Sequence, residues 1–240
     1  MYRVVQMSAL IDKAFMKDKA KLVASASVKL LMGFALVGLL LFFSAGTEHY
    51  PCGWLLMAVL FIPMLIAGTV MLFRSPELLK KRLAAKEKEP EQKSVVAMSG
   101  IMFVASFVVA GLDFRYTWTA MPSWMVWSAT ALFLLSYIMY AEVMRENTYL
   151  SRTIEVQENQ KVVDTGLYGI VRHPMYSATV LMFLSMPLVL GSLPSFVIML
   201  AYIPLIIKRI KNEEAVLLRG LDGYADYCRK VRYRIIPFIY

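Results

Sequence analysis

Metal-binding and disulfide chemistry are what this chain most conspicuously lacks the residues for. In 240 residues there are two cysteines, Cys52 and Cys228, and two histidines, His49 and His173. With just two histidines, His49 expected outside and His173 inside, no Cys/His metal cluster is expected, and no disulfide framework is expected. Charge is sparse as well: 18% of residues are charged, against roughly 25% in soluble domains. No internal repeat or low-complexity tract occurs. A secretory signal peptide is not expected, because the N-terminus is charged and a long helical pattern precedes the first apolar run.

What is present is hydrophobicity, 59% of the residues with mean hydropathy +0.58. Several runs approach or reach the roughly 20 residues that cross a bilayer: Leu30–Gly46, Trp54–Phe73, Val95–Leu112 and Trp124–Val143. The block Tyr176–Ile207 is too long for one crossing, and Gly191-Ser192-Leu193-Pro194 breaks it where a tight turn belongs. It reads as two helices, Met175–Leu190 and Pro194–Arg209. The expected fold is therefore all-α, a polytopic integral membrane bundle of about six transmembrane helices in a single domain over 1–240. Within it, 1–29 form an N-terminal cytoplasmic or interfacial helix and 30–143 four spans. The remainder, 144–240, holds the helical hairpin and a cytoplasmic tail.

The placement of charge supports that topology. Six spans put the basic residues of the N-terminal segment, the second and fourth loops and the tail on one side, leaving Arg115 opposite. The positive-inside rule then assigns both termini to the cytoplasm. The formal charge of +9 is accordingly a collar facing anionic lipid headgroups, not a sign of nucleic-acid binding. Cys52 falls outside and Cys228 inside, so they should not pair.

The connecting segments differ in kind. In Tyr2–Val23, residues Val4, Met7, Ile11, Ala14 and Phe15 share a helical face, suited either to the membrane surface or to docking on the protein's own core. Ser75 and Pro76 suit the start of a helix, and Lys86–Glu91 reads as a solvated charged loop. Met144–Pro174 is too long and polar for a mere connector. In it, 154–157 and 161–163 read as short extended pieces around a polar turn.

The chemistry-bearing residues gather at two places. The first is Gly166–Tyr176, Gly-Leu-Tyr-Gly-Ile-Val-Arg-His-Pro-Met-Tyr. Pro174 suits the first position of the fifth span, with His173 near its N-cap. The free N–H groups there favour a carboxylate or another electron-rich group. The second place is Arg209 with Glu213-Glu214, about one turn beyond the last span. Arg209 and Glu213 share a helical face; as an isolated surface ion pair they would contribute only about 0.5 kcal/mol. The turn at Gly191–Pro194 makes the two helices antiparallel, which brings His173, Tyr176, Arg209 and Glu213 into one site. The segment Gln157–Tyr168 would fold over it. Such a site can hold a zwitterion at both its amino and carboxylate ends.

These elements, in this order, resemble the integral-membrane methyltransferases of the isoprenylcysteine carboxyl methyltransferase family and the related phospholipid methyltransferases. The resemblance spans roughly Glu155 to Pro237. It rests on Gln157, Val162-Val163, Gly166-x-Tyr168, Arg172-His173-Pro174-x-Tyr176, Arg209-x-x-x-Glu213-Glu214, Tyr224-x-x-Tyr227 and Pro237-Phe238-Ile239. It implies a cytoplasm-facing pocket for S-adenosyl-L-methionine. Gln157, Gln160, Lys161, Val162 and Val163 would hold the adenosine end. Tyr168, His173, Pro174, Met175, Tyr176, Glu213 and Glu214 would surround the ribose and methionine parts. Arg209 and Arg172 are the expected catalytic residues, with Arg209 facing the methyl acceptor, a carboxylate in that family. The expected partners are membrane lipids and a lipophilic or small thiol or carboxylate acceptor, with no nucleic acid and no metal. Prenylcysteine, phospholipid amine and small thiol all stay open.

Two other readings stand beside this one. The ending Tyr227-Cys228-x-x-Val231-x-Tyr233-Arg234-Ile235-Ile236-Pro237 also resembles sterol reductases, which share Arg-His-Pro-x-Tyr and bind NADPH. A non-enzymatic lipid-binding or transport protein is the third. It has little support, since Ser106, Ser136 and Ser185 in mid-span are easily accommodated by helix–helix hydrogen bonds.

Overall fold

A computed structural model describes the backbone of residues 2–83, 90–150 and 156–240, and the side chains of 19–83, 93–150 and 156–240. The described residues form helices and irregular segments, with no strand among them. In chain order the helices are α1 (Tyr2–Ala45), α2 (Pro51–Arg74), α3 (Pro76–Leu83), α4 (Pro90–Tyr116) and α5 (Ser123–Glu146). They continue as α6 (Pro174–Val189), α7 (Leu193–Met199), α8 (Tyr202–Gly220) and α9 (Tyr224–Lys230), with a 3-10 turn at Gly166–Gly169 before α6.

All six apolar runs are helical. Among the described residues, five helices are long and apolar enough to cross a membrane: Lys19–Ala45, Pro51–Arg74, Lys93–Tyr116, Ser123–Glu146 and Leu193–Gly220. α6 falls short. It has 16 residues, which at 1.5 Å each cover roughly 24 Å of an about 30 Å hydrocarbon core. Local chemistry fixes both its ends. Pro174 occupies its first turn, where a missing N–H costs nothing. At the other end Gly191 takes φ +75°, and Ser192 N–H and Gly191 N–H donate to the carbonyls of Pro187 and Leu188 at 3.0 and 3.1 Å. This is a Schellman motif, which needs a left-handed residue at the glycine position. Ser192 then caps α7 by accepting from Ser195 N–H, so the chain reverses where the sequence suggested.

α7 and α8 form one crossing with a local slip. Pro204 has no N–H to give Leu200, and the ladder passes through three-residue bonds at Ala201 and Ile203 instead. α6 packs most extensively on α5 and also touches α7 and α8. α1 packs on α4.

Outward-facing Leu31, Met32, Leu39, Phe43, Ile62, Ile66, Phe73, Ile101 and Ile138 stay exposed. An apolar surface of that extent belongs against lipid. Of the three mid-span serines, Ser106 does bond across helices, to Ser195 at 2.7 Å. Ser136 and Ser185 instead bond carbonyls of their own helices. There the preceding turn is nearer than any neighbouring helix.

Some expectations meet a different backbone, and others lie outside the described residues. The N-terminal segment runs into the first span as one helix, α1, without a break. The side chains of its face at Val4, Met7, Ile11, Ala14 and Phe15 lie outside the described residues, as do most of Lys86–Glu91 and all of Ile154 and Glu155. The extended pieces expected at 156–157 and 161–163 are irregular backbone rather than strand, with no ladder partner among the described residues.

The α1–α4 contact depends on one small residue. A Cβ built on Gly111 would lie 1.9 Å from Ser44 Oγ, 2.6 Å from the Leu41 carbonyl and 2.9 Å from the Ala45 nitrogen. Backbone atoms cannot swing aside as a flexible side chain can. Gly111→Ala is therefore expected to cost about 1–3 kcal/mol, the range for overpacking, read as a lower melting temperature in detergent. An unchanged melting temperature would mean the helices separate freely.

Candidate functional site

The first turn of α6 is held from behind by a segment that follows the last span. Arg172 N–H and His173 N–H donate to the carbonyls of Tyr233 and Arg234 at 2.9 and 2.8 Å. Ser177 Oγ donates to the Ile235 carbonyl at 2.6 Å. Tyr227 Oη reaches the Tyr168 carbonyl at 2.7 Å and so joins α9 to the 3-10 turn. That turn starts at Gly166, with φ +55°, where a Cβ would lie 3.1 Å from the Glu146 carboxyl carbon.

Glu214 is the electrostatic centre of this assembly. Its carboxylate accepts from Arg172 Nε at 2.8 Å and Arg234 Nε at 2.8 Å, and lies 3.2 Å from His173 Nε2. Arg172 also donates to the carbonyls of Val231 and Cys228. The Arg172 and Glu214 side chains are 9% and 8% exposed. Glu213, next in line, faces another way. Tyr176 Oη donates to Glu213 Oε2 and accepts from Arg209 Nε at 3.0 Å. Arg209 and Glu213 are thus linked through a phenol rather than sitting as a bare surface pair. The His173 ring lies over that of Tyr176, centroids 5.7 Å apart.

These groups open into a cavity of about 840 Å³, mouth included. Of the residues singled out from sequence, Gln160, Lys161, Val162, Val163, Tyr168, Arg172, His173, Met175, Tyr176, Arg209 and Glu213 line it. Gln157, Pro174 and Glu214 do not. Gln157 accepts from Lys81 Nζ at 2.6 Å and donates to the Tyr149 carbonyl, tying α3 to the segment after α5. Pro174 starts α6, and Glu214 is committed to Arg172, Arg234 and His173.

Further lining residues were not expected. Asn147, Tyr149 and Leu150 follow α5, and Leu217, Leu221, Tyr224 and Tyr227 follow Glu213. The second group had a signal: 213, 217 and 221 recur at i, i+4 and i+8 on one face, and the two tyrosines belong to the quoted tail pattern. The first group had none. Its place depends on Asn147 Nδ2 donating to Tyr168 Oη at 3.0 Å and Tyr149 Oη donating to the Asn159 carbonyl at 3.1 Å.

Burial pushes the phenols of Tyr168, Tyr224 and Tyr227 well above their ordinary range, so they stay protonated donors. Burial also pushes the Cys228 thiol up. The exposed Asp164 carboxyl is held below its usual range by a hydrogen bond from Lys230 at 2.7 Å. The donor set suits a molecule with a cationic amine and an aromatic part: a carboxylate at Glu213, phenol faces for positive charge, and apolar walls at Leu150, Val162, Leu217 and Leu221. Tyr224 Oη is buried with no oxygen or nitrogen partner among the described residues; its neighbour is the Cys228 thiol. An orphaned phenol in such a wall is a donor available to a ligand.

The family model for phospholipid methyltransferase matches residues 124–221, from the start of α5 to just past α8. A 91-residue stretch is 31% identical to the Delta(14)-sterol reductase TM7SF2 of Mus musculus. It makes up 37% of this chain, and the chain spans only 22% of that reductase. Among solved structures, the eukaryotic intramembrane Ras methyltransferase ICMT (isoprenylcysteine carboxyl methyltransferase) is similar over 92% of this chain and 97% of its own, at 17% identity and TM-score 0.47. The stretch that matches the phospholipid methyltransferase family model, residues 124–221, supplies most of the cavity's lining.

Proposed function

We propose that this chain is an integral membrane methyltransferase that takes its methyl group from S-adenosyl-L-methionine and transfers it to a lipophilic acceptor. The observation that carries the reading is the Glu213–Tyr176–Arg209 linkage lining one cavity together with Gln160–Val163. Gln160, Lys161, Val162 and Val163 hold the adenosine end. Tyr168, His173, Met175, Tyr176 and Glu213 take the ribose and the amino-acid part, and Tyr224 supplies a further donor. Bound there, the cofactor supplies a methyl group on a positively charged sulfur.

The rest is alignment and exclusion of water, which is what an in-line displacement asks of a protein. A carboxylate or thiolate acceptor is already nucleophilic and needs no strong base, consistent with phenols that stay protonated. Arg209 faces the acceptor. Arg172 acts at one remove as a positioning residue, through Glu214 and the carbonyls of 228 and 231. In this reading the cavity mouth and both termini face the cytoplasm, a side that the bias of basic residues toward the loops and tail supports.

The test is calorimetric titration of the purified protein with S-adenosylmethionine and its demethylated product. Binding of neither, together with binding of NADPH, would overturn the reading. The sterol reductase likeness favours that second outcome, and one titration separates the two. Arg209→Ala is expected to lower turnover about tenfold, the order of one charge-assisted hydrogen bond, while cofactor affinity changes little. Loss of cofactor binding in that variant would move Arg209 from the acceptor to the cofactor.

A further inference from the structure

The tail after α9 closes on itself and turns Phe238 and Ile239 outward. The main-chain oxygen of Tyr240 accepts from the N–H groups of Arg234, Ile235 and Ile236 at 2.8, 2.8 and 3.1 Å, and Tyr240 N–H returns to the Ile236 carbonyl at 3.0 Å. The Tyr240 ring packs on the core beneath the Arg234 guanidinium. Phe238 takes φ +66°, a left-handed conformation that bulky residues rarely adopt. Its ring stands 5.3 Å from that of Tyr233, yet it stays 87% exposed, and Ile239 78%. A turn pinned by these bonds holds both side chains out, so they are a built surface rather than a frayed end. The residues just before the turn are the strap whose carbonyls hold Arg172, His173 and Ser177, which puts the turn beside the start of α6. That is the helix whose 16 residues cover roughly 24 Å of an about 30 Å hydrocarbon core. Ile235 and Ile236 continue its apolar face: with Leu181, Leu184 and Leu188 of α6 and Leu132 of α5 they line one groove of about 760 Å³. Arg229, Lys230 and the exposed Arg232 precede the turn, and residues 227–240 contain no Asp or Glu.

We propose that Ile236, Phe238 and Ile239 insert into the bilayer at its polar boundary, lengthening the apolar face of the short helix α6, and that this lipid contact holds the strap against the helix start. Continuity of surface selects lipid as the occupant. Ile236 shares its groove with Leu132, and on the same helix as Leu132 the side chains of Leu135 and Ile138 also face outward. A span shorter than the hydrocarbon core thins the bilayer or draws flanking groups into its boundary. Aromatic rings favour that boundary, and basic neighbours are attracted to its anionic headgroups. The strap passes the contact on to the backbone of Arg172 and His173, whatever the cavity binds.

The experiment places the full-length protein in nanodiscs of phosphatidylcholine and phosphatidylglycerol. A nitroxide is attached at Ile239→Cys, with Cys52→Ser and Cys228→Ser removing the native thiols. Molecular oxygen, which concentrates in lipid, and a water-soluble nickel chelate are then compared as relaxing agents. The label should be several-fold more accessible to oxygen than to the chelate. A label at Asp222→Cys, exposed between α8 and α9, should show the reverse. Greater access of the chelate to position 239 overturns the proposal, because the tail then lies in water. Access of neither agent overturns it as well, because a second copy or another protein then covers the patch. The paired change Phe238→Asp with Ile239→Asp tests the seating of α6 by hydrogen exchange. Side chains that face water would tolerate it, whereas carboxylates in lipid pull the tail outward. The amides of Arg172 and His173 should then exchange several-fold faster, while those of α1 and α4 keep wild-type rates. Wild-type exchange at 172 and 173 overturns the link between lipid contact and the helix start.

Discussion

Glu213→Gln is expected to raise the dissociation constant for S-adenosylhomocysteine by about 10- to 100-fold, corresponding to roughly 1.5–3 kcal/mol for a hydrogen bond to a charged group. The substitution is chosen to change charge and little else. The Gln carbonyl can still accept from Tyr176 Oη, so Tyr176 and, behind it, Arg209 keep their places. What disappears is the negative charge offered to a ligand ammonium. The melting temperature of the ligand-free variant should match wild type, while the upward shift produced by ligand should shrink, as linkage requires when only binding is weakened. Titration showing the same dissociation constant in both proteins would remove Glu213 from the cofactor.

Its neighbour should behave in the opposite way. Glu214→Ala is expected to cost about 3–5 kcal/mol of stability, the range for breaking a buried ion pair by deleting one partner. Arg172 and Arg234 would both lose their carboxylate, and His173 would face the same gap. The loss should appear as a lower melting temperature with and without ligand. A variant that melts like wild type but no longer binds ligand would show that Glu214 touches the cofactor directly. Two adjacent glutamates, one turned to the cavity and one to the scaffold, are thus separable by a single pair of melting curves.

What could be read from the sequence followed the range of the interactions involved. The helical runs and the reversal at Gly191–Pro194 are decided within a few residues, by apolar length, by a proline start and by a glycine that tolerates positive φ. The meeting of His173, Tyr176, Arg209 and Glu213 then followed from one hairpin. Features set by distant partners were not legible. Gln157, expected at the adenosine end, bonds Lys81 and the Tyr149 carbonyl, and its own segment does not announce those partners. The resemblance grouped Glu214 with Glu213, but a helix turns neighbours about 100° apart, and Glu214 meets Arg234 instead of lining the cavity. Val162-Val163, read as part of an extended piece, is irregular backbone: a β-branched pair takes up strand only where a second strand is available. A contact between the side chains of Arg82 and Met175 crosses 93 positions and left no trace in either segment alone.

The hydrogen bonds from Arg172 and His173 to Tyr233 and Arg234 have a consequence in time. The first turn of α6 and the carbonyls that hold it are separated by the whole α6–α9 stretch. During synthesis α6 must therefore wait for the strap that seats it, with Arg172 and His173 made well before their partners. Closing so long a loop is among the later events in assembly. The bundle's spans can be in place before the cavity exists, so ligand binding would mark the end of folding rather than accompany it.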